Sequence, residues 1–439
     1  MLLRLKSRKY LIGRLVLLSW LASSFFWWTA GETVLADPPT VLSSCSLKKL
    51  TDDLAYVYSI NARGQLAALA SLSSESGRMP WASAYTQRFW LLKTKKKTST
   101  PIGSFSSEGR AQIPSVQISS NGTRVVFAST GDPTGENADR NSEIFLFDVK
   151  KKKFSQITHT TAVDNFSPVI SGNGKRVAYL ATVNPTGEIA ESSTTLFLFD
   201  SVTKIQTQVI QATGGFSSLF YLAISGNGVK IAFASNVDPI GGNADGTWEI
   251  FLWDTTTHTF SQLTNTVRTE TNSGNSFSPA ISADGTRIVF NSVFSPTGEN
   301  AGGNNEIFLF DTRTGIFTQL THTTGNSGLF SQSSISADGT KVVFEGDKDL
   351  LTGNIDNVLD GNDTEIFLFD TTTNTLTQLT HSNGMSRTPV ISADGNHIMF
   401  SFARYLATFL VGGDVYGYNS DYTPPLPDPA TGLYMATCP

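Results

Sequence analysis

The sequence predicts an all-β protein, a seven-bladed β-propeller of four-stranded antiparallel blades, on three observations. Turn glycines recur at Gly64, Gly122, Gly174, Gly228, Gly285, Gly339 and Gly395, separated by 58, 52, 54, 57, 54 and 56 residues. Each is followed by an apolar strand, a polar loop and two further strands, a unit that cannot bury both its faces alone and must stack on copies of itself. The seventh repeat lacks a fourth strand downstream, and Leu47 to Thr51, ahead of the first repeat, matches Leu376 to Thr380 position by position. That segment is expected to close the last blade and remove the exposed edges of an open array.

The N-terminus reads as a targeting segment. Arg4, Lys6, Arg8, Lys9 and Arg14 precede an apolar run from Leu15 to Trp28, too short for a comfortable membrane span, and Val34-Leu35-Ala36 offers small residues for cleavage after Ala36. An uncleaved anchor and a lipoprotein acylated at Cys45 are the alternatives. Removing residues 1–36 leaves 27 basic and 36 acidic residues, a net charge of −9. That balance argues against nucleic acid, which is held by neutralising phosphates. Cys45 and Cys438 are the two cysteines and lie at the ends of the exported chain. A disulfide between them is expected beside the ring closure. The domain organisation follows: residues 1–36 a signal peptide, 37–45 a leader, 46–419 the propeller, and 420–439 a Pro-rich tail packed at the closure.

Second strands follow each turn, as in TRVVFAS from Thr123, VKIAFAS from Val229 and TRIVFNS from Thr286. Third strands are expected from Arg88, Glu143, Leu196, Glu249, Glu306, Glu365 and Asp414, most reading EIFLFD or close to it. Fourth strands such as FSQLT from Phe260 and LTQLT from Leu376 complete the blades. The string ISADGTRIVF from Ile281, followed by EIFLFDTRTGIFTQLT from Glu306, resembles the WD-like propeller repeat of the TolB family. The resemblance is strong over roughly residues 110–405. The first repeat, with Ile60-Asn61-Ala62-Arg63-Gly64-Gln65 and Arg88-Phe89-Trp90-Leu91, instead resembles bacterial extracellular repeats of the HAF type. The resemblance implies a propeller in an extracytoplasmic setting. There is no room for TolB's N-terminal α/β domain, so TolB's partners are not implied.

Connections between second and third strands emerge on the same face as those between blades, which gathers the longest loops there. These are residues 131–142, 183–195, 237–248, 294–305 and 348–364, rich in carboxylates and amides, and they form the expected partner-binding face. Within them Asn137, Asp139, Asn141 and Glu143, and again Asn243, Asp245, Thr247 and Glu249, place oxygen ligands at alternate positions. Such a pattern suits calcium, although no full calcium-loop consensus is present; the other reading is that they are turn formers and loop caps. No other cofactor is indicated.

His159, His322 and His381 occupy one repeat position in different blades and are therefore kept apart. Asp148, Asp200, Asp254, Asp311 and Asp370 end third strands beside Arg124, Arg176, Lys230, Arg287 and Lys341, which suggests cross-strand pairs in each blade. Lys95 to Lys97 and Lys150 to Lys153 lie in hairpins on that same face, either as solvated charge or as a surface for an anion. No GxSxG, HExxH, P-loop or dinucleotide motif is present. The leading expectation is a periplasmic or extracellular monomer, not membrane-embedded, that binds a protein or a glycan through its long-loop face. The alternative is a polysaccharide-active lyase or hydrolase at the channel mouth.

Overall fold

A computed structural model describes residues 40–41, 44–51, 57–74, 84–108, 115–161, 163–183, 193–212, 219–267, 274–300, 303–323, 333–346, 364–381, 384–403 and 431–438. They belong to one compact unit, Ala36–Pro439. The expected signal peptide, residues 1–36, lies outside the described residues, as do most of loop 183–195 and nearly all of loop 348–364.

Seven four-stranded antiparallel sheets form the blades. Blade 1 runs from Val57–Ile60 at the axis through Leu66–Ser74 and Ala84–Lys93 to Thr98–Glu108 outside. The inner strands of blades 2 to 6 are Val116–Ile118, Asn165–Ile170, Leu219–Ile224, Ser276–Ile281 and Ser333–Ile335. Blade 7 is composite. Met385–Ile391, His397–Ala403 and Gly432–Thr437 are followed outward by Ser46–Thr51, so the N-terminal segment closes the ring as expected. A short pair, Thr40–Val41 with Thr380–His381, attaches the preceding chain to the end of blade 6.

One strand is not where the repeat pattern puts it. The third strand of blade 7 is Gly432–Thr437, whereas Asp414 lies outside the described residues. The span 420–439, expected to be a tail only, therefore supplies a strand. Each of blades 2 to 7 stacks an aromatic of the second strand on one of the third: Phe127 on Phe145, Tyr179 on Phe197, Phe233 on Phe251, Phe290 on Phe308, Phe344 on Phe367, and Phe400 on Tyr434. Tyr434 thus takes the place of the phenylalanine in EIFLFD. Cross-strand aromatic pairs of this kind stabilise sheets beyond the area they bury.

The core is divided among the seven blade interfaces. Val125 and Phe127 face blade 1, whereas Val126 and Ala128, on the other side of the same strand, face blade 3. Because both faces of the middle strands are covered, they read as continuous apolar runs.

Closure is also built at the axis. The turns after the inner strands join in a circle of backbone hydrogen bonds: Ala62 N–H to Ser120 O, Asn121 to Gly172, Asn173 to Gly226, Asn227 to Ala283, Ala283 to Ala337, Ala337 to Ala393, and Asp394 back to Ala62. The seven turn glycines all have φ between 62° and 76°, the left-handed region that glycine enters without a Cβ penalty. Cys45 and Cys438 form a disulfide next to the closing strand.

Candidate binding site at the channel mouth

The long loops are tied to their blades by a buried glutamate at the start of the third strand. Glu143 Oε1 accepts hydrogen bonds from Thr160 N–H (2.6 Å), Thr160 Oγ1 (2.8 Å) and Asn141 Nδ2 (3.2 Å), and Oε2 accepts from Asn165 Nδ2 (3.1 Å). Glu249 accepts from Thr247 Oγ1, from Thr266 N–H and Oγ1, and from Thr264 Oγ1. Glu306 repeats this with Thr321 and Thr323. Buried Asn137 and Asn243 span their loops by donating to the carbonyls of Asn141 and Thr247.

The eight residues of the calcium pattern are therefore close together within each loop, but their best ligands already face donors. Asp139 is exposed, and Asp245 Oδ1 accepts from Thr247 Oγ1 at 2.9 Å. Asn137 and Asn141 each bury an Oδ1 that meets no donor among the described residues. No group of three or more His, Cys, Asp or Glu that would hold a metal occurs among the described residues. His159 and His322 sit on separate blades, beside Glu136 and Glu299 respectively.

The axial channel holds a cavity of 360 Å³ walled by inner strands, with Gln117, Tyr221, Ser278, Pro279, Ser334 and Pro389 among its lining. Several of its polar groups are structural. Ser59, Gln117 and Ser334 accept hydrogen bonds from the backbone amides of Ile118, Ile170 and Ile391 on the neighbouring blades. In blades 3, 4, 5 and 7 the inner strand carries a bulge with one left-handed residue: Ser167, Tyr221, Ser278 and Thr388. Bulges re-aim side chains. Here Pro168, Pro279 and Pro389 follow three of the four, and blade 4 departs with a bulky pair, Tyr221-Leu222.

Blade 4 departs from the repeat a second time. Trp248 precedes Glu249 where blades 2, 3, 5 and 6 have Ser142, Thr194, Asn305 and Thr364. Trp248 stacks on Phe220 (ring centroids 5.8 Å apart, planes at 27°) and contacts Phe277 of blade 5 (5.7 Å). Tyr221, 50% exposed, meets Phe220 at 6.1 Å and Phe277 at 6.2 Å. The registers Leu219↔Ser235 and Ser276↔Ser292 place all four rings at the long-loop end of their blades. They form an aromatic platform that runs from loop 237–248 to the mouth of the channel.

No model of a known protein family matches the sequence, and no curated protein does. Among solved structures the chain is similar to an oligogalacturonate lyase in complex with manganese, at 14% identity and a TM-score of 0.55, over 92% of this chain and 96% of the other. An oligogalacturonate lyase from Vibrio parahaemolyticus matches at 12% and 0.57, over 92% and 98%. TolB from Acinetobacter baumannii is also similar, at 15% identity over 78% of each chain, with a TM-score of 0.40. What is shared is the propeller fold.

Of the residues singled out from sequence, only loop 237–248 contributes to the platform, through Trp248. Phe220, Tyr221 and Phe277 were not singled out. A signal for them was present: Phe166-Ser167-Pro168 and Phe277-Ser278-Pro279 stand at the same repeat position, and Phe220-Tyr221-Leu222 is the altered version of the same string.

Proposed function

We propose that this propeller is an exported binding module that takes a glycan on its long-loop face, with Trp248 and Tyr221 as its stacking residues. The observation that carries this reading is the aromatic platform. Repeat positions kept alike in every blade serve architecture, whereas Trp248 and Tyr221 break the repeat in one blade and both add partly exposed ring surface. Flat apolar rings beside amide- and carboxylate-rich loops suit sugars, which offer a C–H face to stack and hydroxyls to bond. The Cys45–Cys438 disulfide is compatible with export. A lyase or hydrolase at this mouth would need acid–base or metal groups. The 360 Å³ cavity is lined by Gln117, serines, prolines, Tyr221 and aliphatic side chains, which this reading takes as a binding surface.

Calorimetric titration with neutral and uronic-acid oligosaccharides tests the reading. Binding is expected to weaken about tenfold or more in Trp248→Ala and in Tyr221→Ala, as for central anchors of an interface. Thermal unfolding of Tyr221→Ala should stay close to that of the parent, whereas Trp248→Ala also loses packing on the blade 4–5 core and should unfold at lower temperature while remaining folded at the titration temperature. Oligosaccharide binding unchanged in both variants would remove the platform from the reading. A protein ligand lost in both, with no sugar bound, would replace the glycan.

A further inference from the structure

On the opposite face the charge of the ring is strongly lopsided. The hairpin after the third strand of blade 1 carries Lys93, Lys95, Lys96 and Lys97, and that of blade 2 carries Lys150 to Lys153; all eight side chains are exposed. The corresponding hairpins of blades 4 and 6 are threonine-rich, as in Thr255-Thr256-Thr257 and Thr371-Thr372-Thr373. Nearby acids do not offset these lysines. Where blades 5 to 7 place Asp284, Asp338 and Asp394 in the axial turn, blades 2 to 4 have Asn121, Asn173 and Asn227, and blade 1 has Arg63. Asp148 is turned inward on its own hairpin, accepting from the amides of Lys150 and Lys151.

Two further observations set this arc apart from ordinary solvated charge. The hairpins of blades 1, 2 and 3 hold Lys97, Lys152 and Lys204 in the left-handed region, where blade 4 has His258, blade 5 has Gly315 and blade 6 has Asn374. Glycine or asparagine adopts that conformation more readily, so lysine is kept there against a local preference. Beside Lys204, the hairpin of blade 3 exposes Val202 (65%) and Ile205 (60%), among the most exposed large aliphatics described.

We infer that this face, over blades 1 to 3, docks on a bilayer rich in anionic phospholipid, with the lysines over the headgroups and Val202 and Ile205 entering the interface. The group is made of lysines, point charges without the planar fork that selects individual phosphates. Clustered lysines near a surface gain from its negative potential, and exposed aliphatics add an apolar contribution that a soluble polyanion would not use. The surface lies on the face opposite the aromatic platform and stands independently of it.

Co-sedimentation of the Ala36–Pro439 unit with phosphatidylcholine vesicles, with and without phosphatidylglycerol, tests the inference. Binding is expected only to the anionic vesicles, with release by added salt. Replacing Lys150 to Lys153 by Gln should lower partitioning about six-hundredfold, at about fivefold per lysine. Val202→Ser with Ile205→Ser should lower it several-fold at unchanged charge. Equal binding to neutral vesicles, or none to anionic ones, overturns the inference, and neither outcome depends on a variant that folds. If the aliphatic double variant binds as the parent does and polyphosphate displaces both completely, the surface serves a soluble polyanion instead.

Discussion

Glu249 shows how a single side chain holds a loop in place. Its two oxygens accept from three threonines of neighbouring segments inside a fully buried pocket. Glu249→Ala would leave those donors unpaired, and a loss of about 3 kcal/mol in denaturant unfolding is expected. The same saturation bears on calcium. A cation at Glu143 or Glu249 would have to displace N–H and O–H donors that already point at the carboxylate. Unfolding curves in chelator and in millimolar calcium are therefore expected to coincide; a rise in stability with calcium would show that the loops rearrange to bind it.

Also at the residue scale, the Arg313 side chain, hydrogen-bonded to Asp311, holds that carboxyl down at about 2. A carboxyl depressed in the folded state contributes stability above its unfolded value, and that contribution is lost as pH falls from there through the folded value. The window is roughly pH 4 to 2. Because Arg313 is mostly exposed, the contribution is discounted to about 1 kcal/mol. Asp311→Asn should cost that much at neutral pH and almost nothing near pH 2, as read from urea unfolding at the two pH values.

Between elements, the charged positions expected to pair stand opposite one another, and Arg176–Asp200 (3.4 Å) and Arg287–Asp311 (3.7 Å) are ion pairs. Arg124 faces Asp148 across the strands, Arg176 faces Asp200, Lys230 faces Asp254, Arg287 faces Asp311 and Lys341 faces Asp370. The arginines also reach the next blade. Arg176 Nη1 donates to Gly228 O (2.9 Å) and Thr255 Oγ1 (2.6 Å), and Arg287 Nη1 donates to Gly339 O (2.9 Å) and Thr371 Oγ1 (3.0 Å). Each such arginine staples its blade to its neighbour. Arg176→Met keeps the aliphatic stem and removes the bonds. It should cost about 1 to 3 kcal/mol, whereas Thr255→Val, which removes one hydroxyl, should cost about 1 kcal/mol or less.

At the scale of the whole molecule, the ring is closed by the N-terminal strand, the circle of turn hydrogen bonds and a disulfide joining residues 393 apart in sequence. Cross-linking so long a segment restricts the unfolded chain, worth about 6 kcal/mol at most in the loop-entropy model. Cys45→Ser with Cys438→Ser is expected to keep the fold, since two other closures remain, but to unfold at distinctly lower denaturant. Thiol titration of denatured, unreduced parent protein should find no free thiol. Two free thiols there would contradict the bridge.

The sequence by itself determined the blade count, the order of most strands, the closing segment and which charged positions stand opposite one another across strands. All of these follow from local patterns repeated seven times, and a repeated pattern averages out its exceptions. It misplaced the third strand of blade 7, because a long insertion separates His397–Ala403 from Gly432–Thr437, and Asp414-Val415 fell at the spacing of the other repeats. Only the tertiary structure showed Tyr434 in the position of the repeat phenylalanine. Likewise, only the fold could bring Phe220, Tyr221, Trp248 and Phe277 onto one platform, or set the lysines of two hairpins beside Val202 and Ile205 of a third. Those groupings join residues from different strands and blades, and their proximity is fixed by how the sheets pack around the axis rather than by any spacing along the chain.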